Sequence, residues 1–200
     1  IIPRKVSLCL LKIDEIGYML NNFDREKLLN VIIFFAQKTK FCGITKLFKL
    51  LYFLDFEHYK QTGRSVTGLE YYAWKMGPVP VRLREEIDAP ERDFADKVEV
   101  ETLTTKHRKP MYLIKPKVEF DSNKFTRREL HILSTLAKEY HNTIADDMIE
   151  ATHLETLPWH QVYNIDGDKQ GLIPFEYAFR KDEVEIMEHI IKENEEICLL

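Results

Sequence analysis

Cysteine is scarce in this sequence, with only Cys9, Cys42 and Cys198 among its 200 residues. The three lie far apart and are odd in number, so they show neither a disulfide framework nor the paired spacing of a zinc site. This pattern excludes a small secreted domain held together by disulfides. It is typical of a protein in a reducing cytoplasm, where we expect this one to act.

Long apolar runs are also missing. The longest, residues 28–36, is interrupted by Asn30 and falls far short of the roughly 20 residues that cross a membrane. We therefore predict a soluble chain with no membrane partner. The opening residues, IIPRK, contain neither an initiator Met nor a signal peptide, so we expect further residues ahead of them.

The glycines do not form a phosphate-binding loop. Gly63, Gly68 and Gly77 are spaced by five and nine residues, and neither GxGxxG nor GxxxxGK[ST] occurs in the chain. We interpret Gly63 as the end of a helix and the other two as turns. No motif for a cofactor is present, and none is predicted.

Positive charge is not in excess, because the net charge is −4 and the pI is about 6.0. This balance counts against a dedicated nucleic-acid binder. Charge is nevertheless segregated locally, with +5 over residues 106–117 and −5 over residues 183–196. A solvated face is the ordinary interpretation of each segment. The basic one could also contact phosphate or an acidic protein, and its candidate partner-binding residues are Lys106, Arg108 and Lys109.

Composition and periodicity predict a mainly α fold with a small antiparallel β element (α+β). The apolar share of 44% and the charged share of 31% suit one folded domain of this length. The predicted helices are one opened by Phe23-Asp24, Thr45–Gln61, Val81–Ile87, one opened by a capping box at Thr126 and Glu129, Thr143–Thr152, a short turn from Pro158, and Glu183–Glu196. The predicted strands are Glu70–Met76, which Gly77-Pro78 ends, and a hairpin of Lys97–Thr104 with Met111–Ile114. A polar connection is predicted over Asp88–Asp93.

The helix over Thr45–Gln61 is apolar on nearly all sides, which predicts a place at the centre of the domain. Its polar positions between Ile44 and Phe56 are Thr45, Lys46, Lys49 and Asp55. Asp55 is the unusual one. A carboxylate on such a helix has to find hydrogen-bond donors or a cation, because burying it unpaired is costly.

Asp55 and His58, three residues apart on one helix, suit either a general-base pair or a satisfied buried polar pair. The structural interpretation is favoured, because no nucleophile lies near them in the sequence and no metal-ligand spacing accompanies His153 and His160. His153 is expected to hydrogen-bond a backbone or carboxylate partner beside Trp159. A hydrolase that uses Asp55, His58 and His153 is kept as an alternative function.

The aromatic strand offers candidate binding anchors. Alternation on a strand sends Tyr71 and Tyr72 to opposite faces, and one face can therefore leave an aromatic side chain at the surface. The candidate partner-binding residues of this region are Tyr71, Tyr72, Trp74, Arg82 and Arg84.

Several motifs, taken in order, resemble the Panacea domain, the antitoxin domain typified by SocA. They are KLLYF at Lys49–Phe53, TG-x-x-Y-x-A-W-K-x-GPV at Thr67–Val79, the capped helix at Phe125–Leu136, and THLETLPW at Thr152–Trp159. The resemblance covers residues 28–163 and implies an antitoxin domain over residues 23–163. A segment 1–22 of open secondary structure precedes it, and an extension 164–200 with a terminal helix packed on the same domain follows it. The structural motif residues are Asp55, Gly68, Gly77, Pro78, His153, Pro158 and Trp159.

The resemblance also implies a function. Such domains neutralise a cognate protein toxin of a bacterial or phage toxin–antitoxin pair by direct contact, and at least one kind delivers its toxin to a cytosolic protease. The family brings no catalytic residues, which agrees with the search above. A DNA-binding transcriptional regulator is the other alternative, although the chain shows no helix-turn-helix pattern. The sequence leaves the toxin and the oligomeric state open.

Overall fold

The structure, a computed structural model, describes residues 25–104, 110–154 and 157–179. Four predictions lie outside these residues. They are the segment 1–22, the helix start at Phe23-Asp24, the basic side chains of Lys106, Arg108 and Lys109, and the terminal helix Glu183–Glu196.

The described residues form helices and two small antiparallel sheets, which confirms the predicted fold class. The helices are α1 (residues 25–38), α2 (Ile44–Thr62), α3 (Val81–Asp88), α4 (Arg92–Lys97), α5 (Arg127–Glu139), α6 (Ala145–Thr152) and α7 (Pro158–His160). A π-helical turn, Gln161–Ile165, continues α7, and short 3₁₀ turns occur at Ser122–Lys124 and Phe175–Ala178. The strands are β1 (Tyr72–Trp74), β2 (Gly77–Val79), β3 (Val98–Thr104) and β4 (Pro110–Pro116), paired β1 with β2 and β3 with β4.

Helix α2 lies at the centre of the domain, as its apolar surface predicts. Its buried positions run from Lys46 to His58 and face α5, α6, β2 and the 3₁₀ turn Phe175–Ala178. The helix ends where Gly63 adopts the left-handed backbone conformation with φ of 68°, and the Gly63 N–H donates to the carbonyl of Tyr59. A glycine adopts this conformation without steric cost, which explains the stop.

The capping box that opens α5 is confirmed. The Thr126 hydroxyl accepts from the backbone N–H of Glu129, and the Glu129 carboxylate accepts from the N–H of Thr126 at 2.6 Å. The same carboxylate also binds the Lys27 ammonium of α1 at 2.5 Å. One side chain therefore caps α5 and ties it to α1.

Two local predictions are corrected by the structure. Gly77-Pro78 does not end a long strand but forms β2, which folds back on β1 so that Ala73 faces Pro78. The residues Lys75 and Met76 make the turn between the two strands. The polar connection predicted over Asp88–Asp93 is shorter than expected, because helix α4 already begins at Arg92.

The β3–β4 hairpin has the predicted antiparallel partners, with Val100 opposite Ile114. It is tied to the entry of α2, since the Ile114 N–H donates to the Cys42 carbonyl at 3.0 Å. Among residues 25–104, 110–154 and 157–179, none of the helices combines the length and apolar character that crossing a bilayer requires.

Candidate functional site

The motif residues of the sequence meet around helix α2. In its C-terminal half the buried carboxylate of Asp55 accepts four hydrogen bonds. Two come from the backbone N–H groups of Val66 and Thr67, at 2.8 and 2.9 Å, and two from the hydroxyls of Thr67 and Tyr71. Burial raises the pKa of Asp55, while the four donors act in the opposite direction. The donors that this carboxylate was predicted to need are therefore present.

The N-terminal half of α2 buries a second charged motif residue. Lys49 is 1% exposed, and its ammonium donates to the carbonyl of Pro78 at 2.7 Å. Burial lowers the pKa of Lys49 to about 7. Gly77 adjoins this site with φ of 91°. A Cβ placed there would lie 2.6 Å from the Thr152 hydroxyl and 2.9 Å from the Lys49 Nζ.

The late motif joins the same core through Trp159. Its indole N–H donates to the carbonyl of Trp74 at 2.9 Å, which fixes the end of β1. The rings of His153 and Tyr163 both stack on the Trp159 ring, with centroids 3.8 and 4.7 Å from it. His153 is thus beside Trp159 as predicted. The hydrogen bond predicted for His153 is not formed at its buried Nε2, which has no partner within the described residues.

The three side chains of the hydrolase alternative have separate partners. Asp55 is occupied by its four donors, His58 Nδ1 lies 2.7 Å from the Arg64 carbonyl oxygen, and His153 stacks on Trp159. A general-base pair needs a hydrogen bond between its members. Asp55 and His58 each have a different partner, so they do not form the general-base pair that their spacing allowed.

The remaining candidate partner-binding residues lie on β1 and α3. Tyr72 and Trp74 are half-buried on one face of β1, whereas Arg82 and Arg84 are exposed on α3. Tyr71 is a correction, because it is 1% exposed and its hydroxyl is used by Asp55. A side chain so placed supports the core and offers no surface to a partner.

Tyr72 and Arg82 line a common cleft of about 640 Å³ between the start of α1, the turn before β1 and α3. Its apolar floor comes from the buried side chains of Leu28, Leu69 and Leu83. Charged groups of both signs surround the floor, and they are Arg25, Glu70, Arg82, Glu85 and Glu86. An apolar floor within a polar rim is the ordinary anatomy of a protein-binding patch.

Arg25 organises the acidic side of this cleft. Its guanidinium binds Glu86 and also donates to Asp93 at 2.9 Å, which raises its own pKa and lowers that of Asp93. Within the described residues, one group of three acidic, histidine or cysteine side chains is close enough together to hold a metal ion, and it consists of Glu86, Glu91 and Asp93. Because a guanidinium already lies among these carboxylates, we interpret the cluster as an ion-pair link between α1, α3 and α4.

Residues 47–160 of the chain match the protein family described as antitoxin SocA-like, Panacea domain. The chain belongs to the SocA-like Panacea domain family. No curated protein and no solved structure matches it. The matched span begins inside α2 and ends on α7. It therefore contains Lys49, Asp55 and most of the residues that line the cleft.

Sequence reasoning missed the structural roles of three residues. Lys46 and Lys49 are buried, and Arg25 reaches across to α3 and α4. The two lysines gave no decisive signal, because the long stem of a lysine on an apolar helix can still carry its ammonium group to water. Arg25 carried none, since its partner Asp93 is 68 residues away in sequence. The basic residues Lys106, Arg108 and Lys109 lie outside the described residues.

Proposed function

We propose that this protein is an antitoxin that binds a cognate protein toxin directly and neutralises it without a catalytic step. The observation that supports the proposal is the family match over residues 47–160. The geometry is consistent with a binding protein. The motif side chains of Asp55, Lys49 and Trp159 hold the core together, and the exposed residues beside them surround a cleft.

We place the toxin contact on the cleft face, with Tyr72 and Arg82 as its anchors. Both side chains line the cleft, and Arg84 lies on the same short helix as Arg82. Tyr and Arg are the residue types most often found to dominate binding energy at protein interfaces. The mixed charge of the rim suits a protein surface better than the uniformly negative surface of a nucleic acid.

The proposal is tested by co-expression with the product of the neighbouring gene. We expect the neighbour alone to arrest growth, the pair to grow, and the two proteins to purify as one complex. Absence of both the rescue and the complex would refute the antitoxin function. We also propose that this happens in the cytoplasm. Delivery to a cytosolic protease would show as a shorter toxin half-life in the presence of the antitoxin.

The binding face is tested by a matched pair of arginine variants. Arg82→Glu changes the cleft, whereas Arg92→Glu makes the same change on α4, where the side chain is exposed outside the cleft. We expect Arg82→Glu to weaken toxin binding about tenfold or more and Arg92→Glu to leave it within a few-fold of wild type. Equal affinities for the two variants would move the contact elsewhere.

A further inference from the structure

A second surface lies beside helix α5. It is a groove of about 530 Å³ between the end of α1 and the C-terminal half of α5. The buried side chains of Phe34 and Ala137 contribute its apolar floor. The exposed side chains of Lys38 and Lys138 line it, together with His141. None of the described residues that line the groove carries a carboxylate, so its charge has one sign.

Two exposed apolar side chains belong to the loops that connect α1 with α2 and α5 with α6, and the second of these loops also supplies His141 to the groove. Phe41 is 58% exposed and Ile144 is 49% exposed. The backbone of Phe41 has φ of 55°, a left-handed conformation that is rare for a bulky residue and stores strain. The chain therefore holds a large aromatic ring outward at some cost in free energy.

The buried ammonium of Lys46 fixes the two loops that carry these side chains. It donates to the carbonyls of Lys40 and Thr143, each at 2.9 Å, and to that of His141 at 3.3 Å. The Lys40 N–H in turn donates to the His141 carbonyl at 2.8 Å. Phe41 and Ile144 each follow a residue bound to the same ammonium, so the backbones that carry them lie close together beside His141 of the groove.

We propose that this surface, called the basic groove, is a second contact site for the toxin and receives an acidic segment that also carries apolar side chains. This inference rests on the proposed function. Lys38 and Lys138 would bind carboxylates, Phe41 and Ile144 would be covered by apolar groups, and the floor would take a side chain between them. Charge of one sign selects an acidic occupant, and the two anchors with the apolar floor select a protein over a nucleic acid.

The experiment measures toxin binding to the full-length chain as a function of salt. Lys38→Glu/Lys138→Glu reverses the groove charge, and Arg127→Glu/Arg128→Glu makes the same net change on two exposed residues at the other end of α5. We expect the groove variant to weaken the affinity about tenfold or more and to flatten its salt dependence, while the control pair stays within a few-fold of wild type. Equal losses for both pairs would overturn the proposal, because they would report net charge alone.

The apolar anchor is tested by Phe41→Asn, with Ile165→Asn as its control. Asparagine tolerates the left-handed backbone, so the variant removes the ring without disturbing the loop. Ile165 is similarly exposed and lies outside the groove. We expect about a tenfold loss of affinity for Phe41→Asn and little change for the control. Unchanged affinity of both variants would refute the anchor.

The occupant is identified by zero-length cross-linking of lysines to carboxylates in the wild-type complex. We expect Lys38 and Lys138 to be joined to one acidic segment of the toxin. Links to the chain's own acidic residues 183–196, or binding of duplex DNA that the groove variant loses while it keeps the toxin, would overturn the proposal. A wild-type chain that binds no toxin would refute the proposed function, whereas normal toxin binding by both groove variants would refute this inference alone.

Discussion

Helix α2 buries one ionisable side chain in each of its halves, and the two sites are built differently. Asp55 is fully buried and accepts hydrogen bonds from Val66, Thr67 and Tyr71. Lys49, six residues earlier and about 9 Å along the helix axis, is as deeply buried, but within the described residues its ammonium has one hydrogen-bond acceptor, the Pro78 carbonyl. The carboxylate site is therefore well compensated, and the ammonium site is not.

The difference shows how the family motif can serve two structural purposes. At the Asp55 end, the donors come from one continuous segment, residues 66–71, so the carboxylate fixes a turn. At the Lys49 end, contacts converge from β2, α6 and the Trp159 region, where His153 also feels the ammonium charge. The first site locks a local connection, whereas the second joins elements that are distant in sequence.

The largest effect is expected from Asp55→Ala. The substitution leaves two backbone N–H groups and the hydroxyls of Thr67 and Tyr71 buried without an acceptor. We expect a loss of about 3–5 kcal/mol in the free energy of unfolding, measured by urea denaturation. Asp88→Asn, at an exposed position on α3, is the control and should stay within about 0.5 kcal/mol of wild type. A loss for Asp55→Ala as small as the control would mean that water already serves these donors.

Gly77→Ala tests the crowding at the Lys49 end. The new methyl group would lie within 3 Å of the Thr152 hydroxyl and the Lys49 ammonium at a positive φ, and we expect a loss of about 2–4 kcal/mol. Gly167→Ala is a matched control, because Gly167 also has positive φ, at 72°, but open space around it. It should lose about 1 kcal/mol, so thermal unfolding of the two variants separates crowding from backbone strain. Equal losses would show that the contacts at Gly77 yield freely.

The Asp55 end was predictable from sequence, and the Lys49 end was not. A short carboxylate on an apolar helix has no reach to water, so its need for donors follows from the residue type alone. A lysine can extend its long stem toward solvent, and its burial depends on whether other elements cover it. Pro78 and Gly77 cover Lys49 here because β2 folds back on β1 and packs on α2, whereas the sequence predicted one continuous strand over Glu70–Met76.

The candidate surfaces, like the Lys49 site, are formed by elements that are distant in sequence. Helix α2 and the capping box of α5 were predictable, because periodicity and capping act within a few residues. The cleft combines α1, the turn before β1 and α3, and the basic groove combines α1 with α5. No local pattern encodes such combinations. Tyr72 and Arg82 were predicted from the sequence as candidate binding residues, but the cavity that they line became visible only with the fold.

Lys49→Met tests whether the ammonium site is under-compensated. The folded state lowers the pKa of Lys49 from its ordinary 10.5 to about 7, so the unfolded chain binds the proton more tightly. The contribution of Lys49 to the free energy of unfolding is therefore at its full value above pH 10.5. It decreases as the pH falls toward 7, by at most about 1.4 kcal/mol per pH unit. Lys49→Met should lack this component when urea unfolding is compared with wild type across the range. An identical pH dependence would show that the buried ammonium is fully compensated.

The smallest effect is expected from His153→Phe, which probes the edge of the same site. Phenylalanine keeps a flat ring against Trp159, and the replaced Nε2 has no partner among the described residues, so stability near pH 8 should change by less than about 1 kcal/mol. The pH dependence should change more clearly. Burial, followed by the charges of Lys49 and His160, lowers the pKa of His153 below its ordinary 6.5.

Because the folded state disfavours the protonated ring, wild-type stability from His153 is complete above pH 6.5 and is lost as the pH falls below that value. His153→Phe should therefore lose less stability than wild type between pH 7 and pH 5 in urea unfolding. His131→Phe, at an exposed position of α5, is the control for the substitution itself, and its free energy of unfolding near pH 8 should stay within about 0.5 kcal/mol of wild type. If His153→Phe has the same pH dependence as wild type, His153 is protonated as readily in the folded chain as in the unfolded one. The folded state would then disfavour protonation at Lys49 but not at His153 beside Trp159.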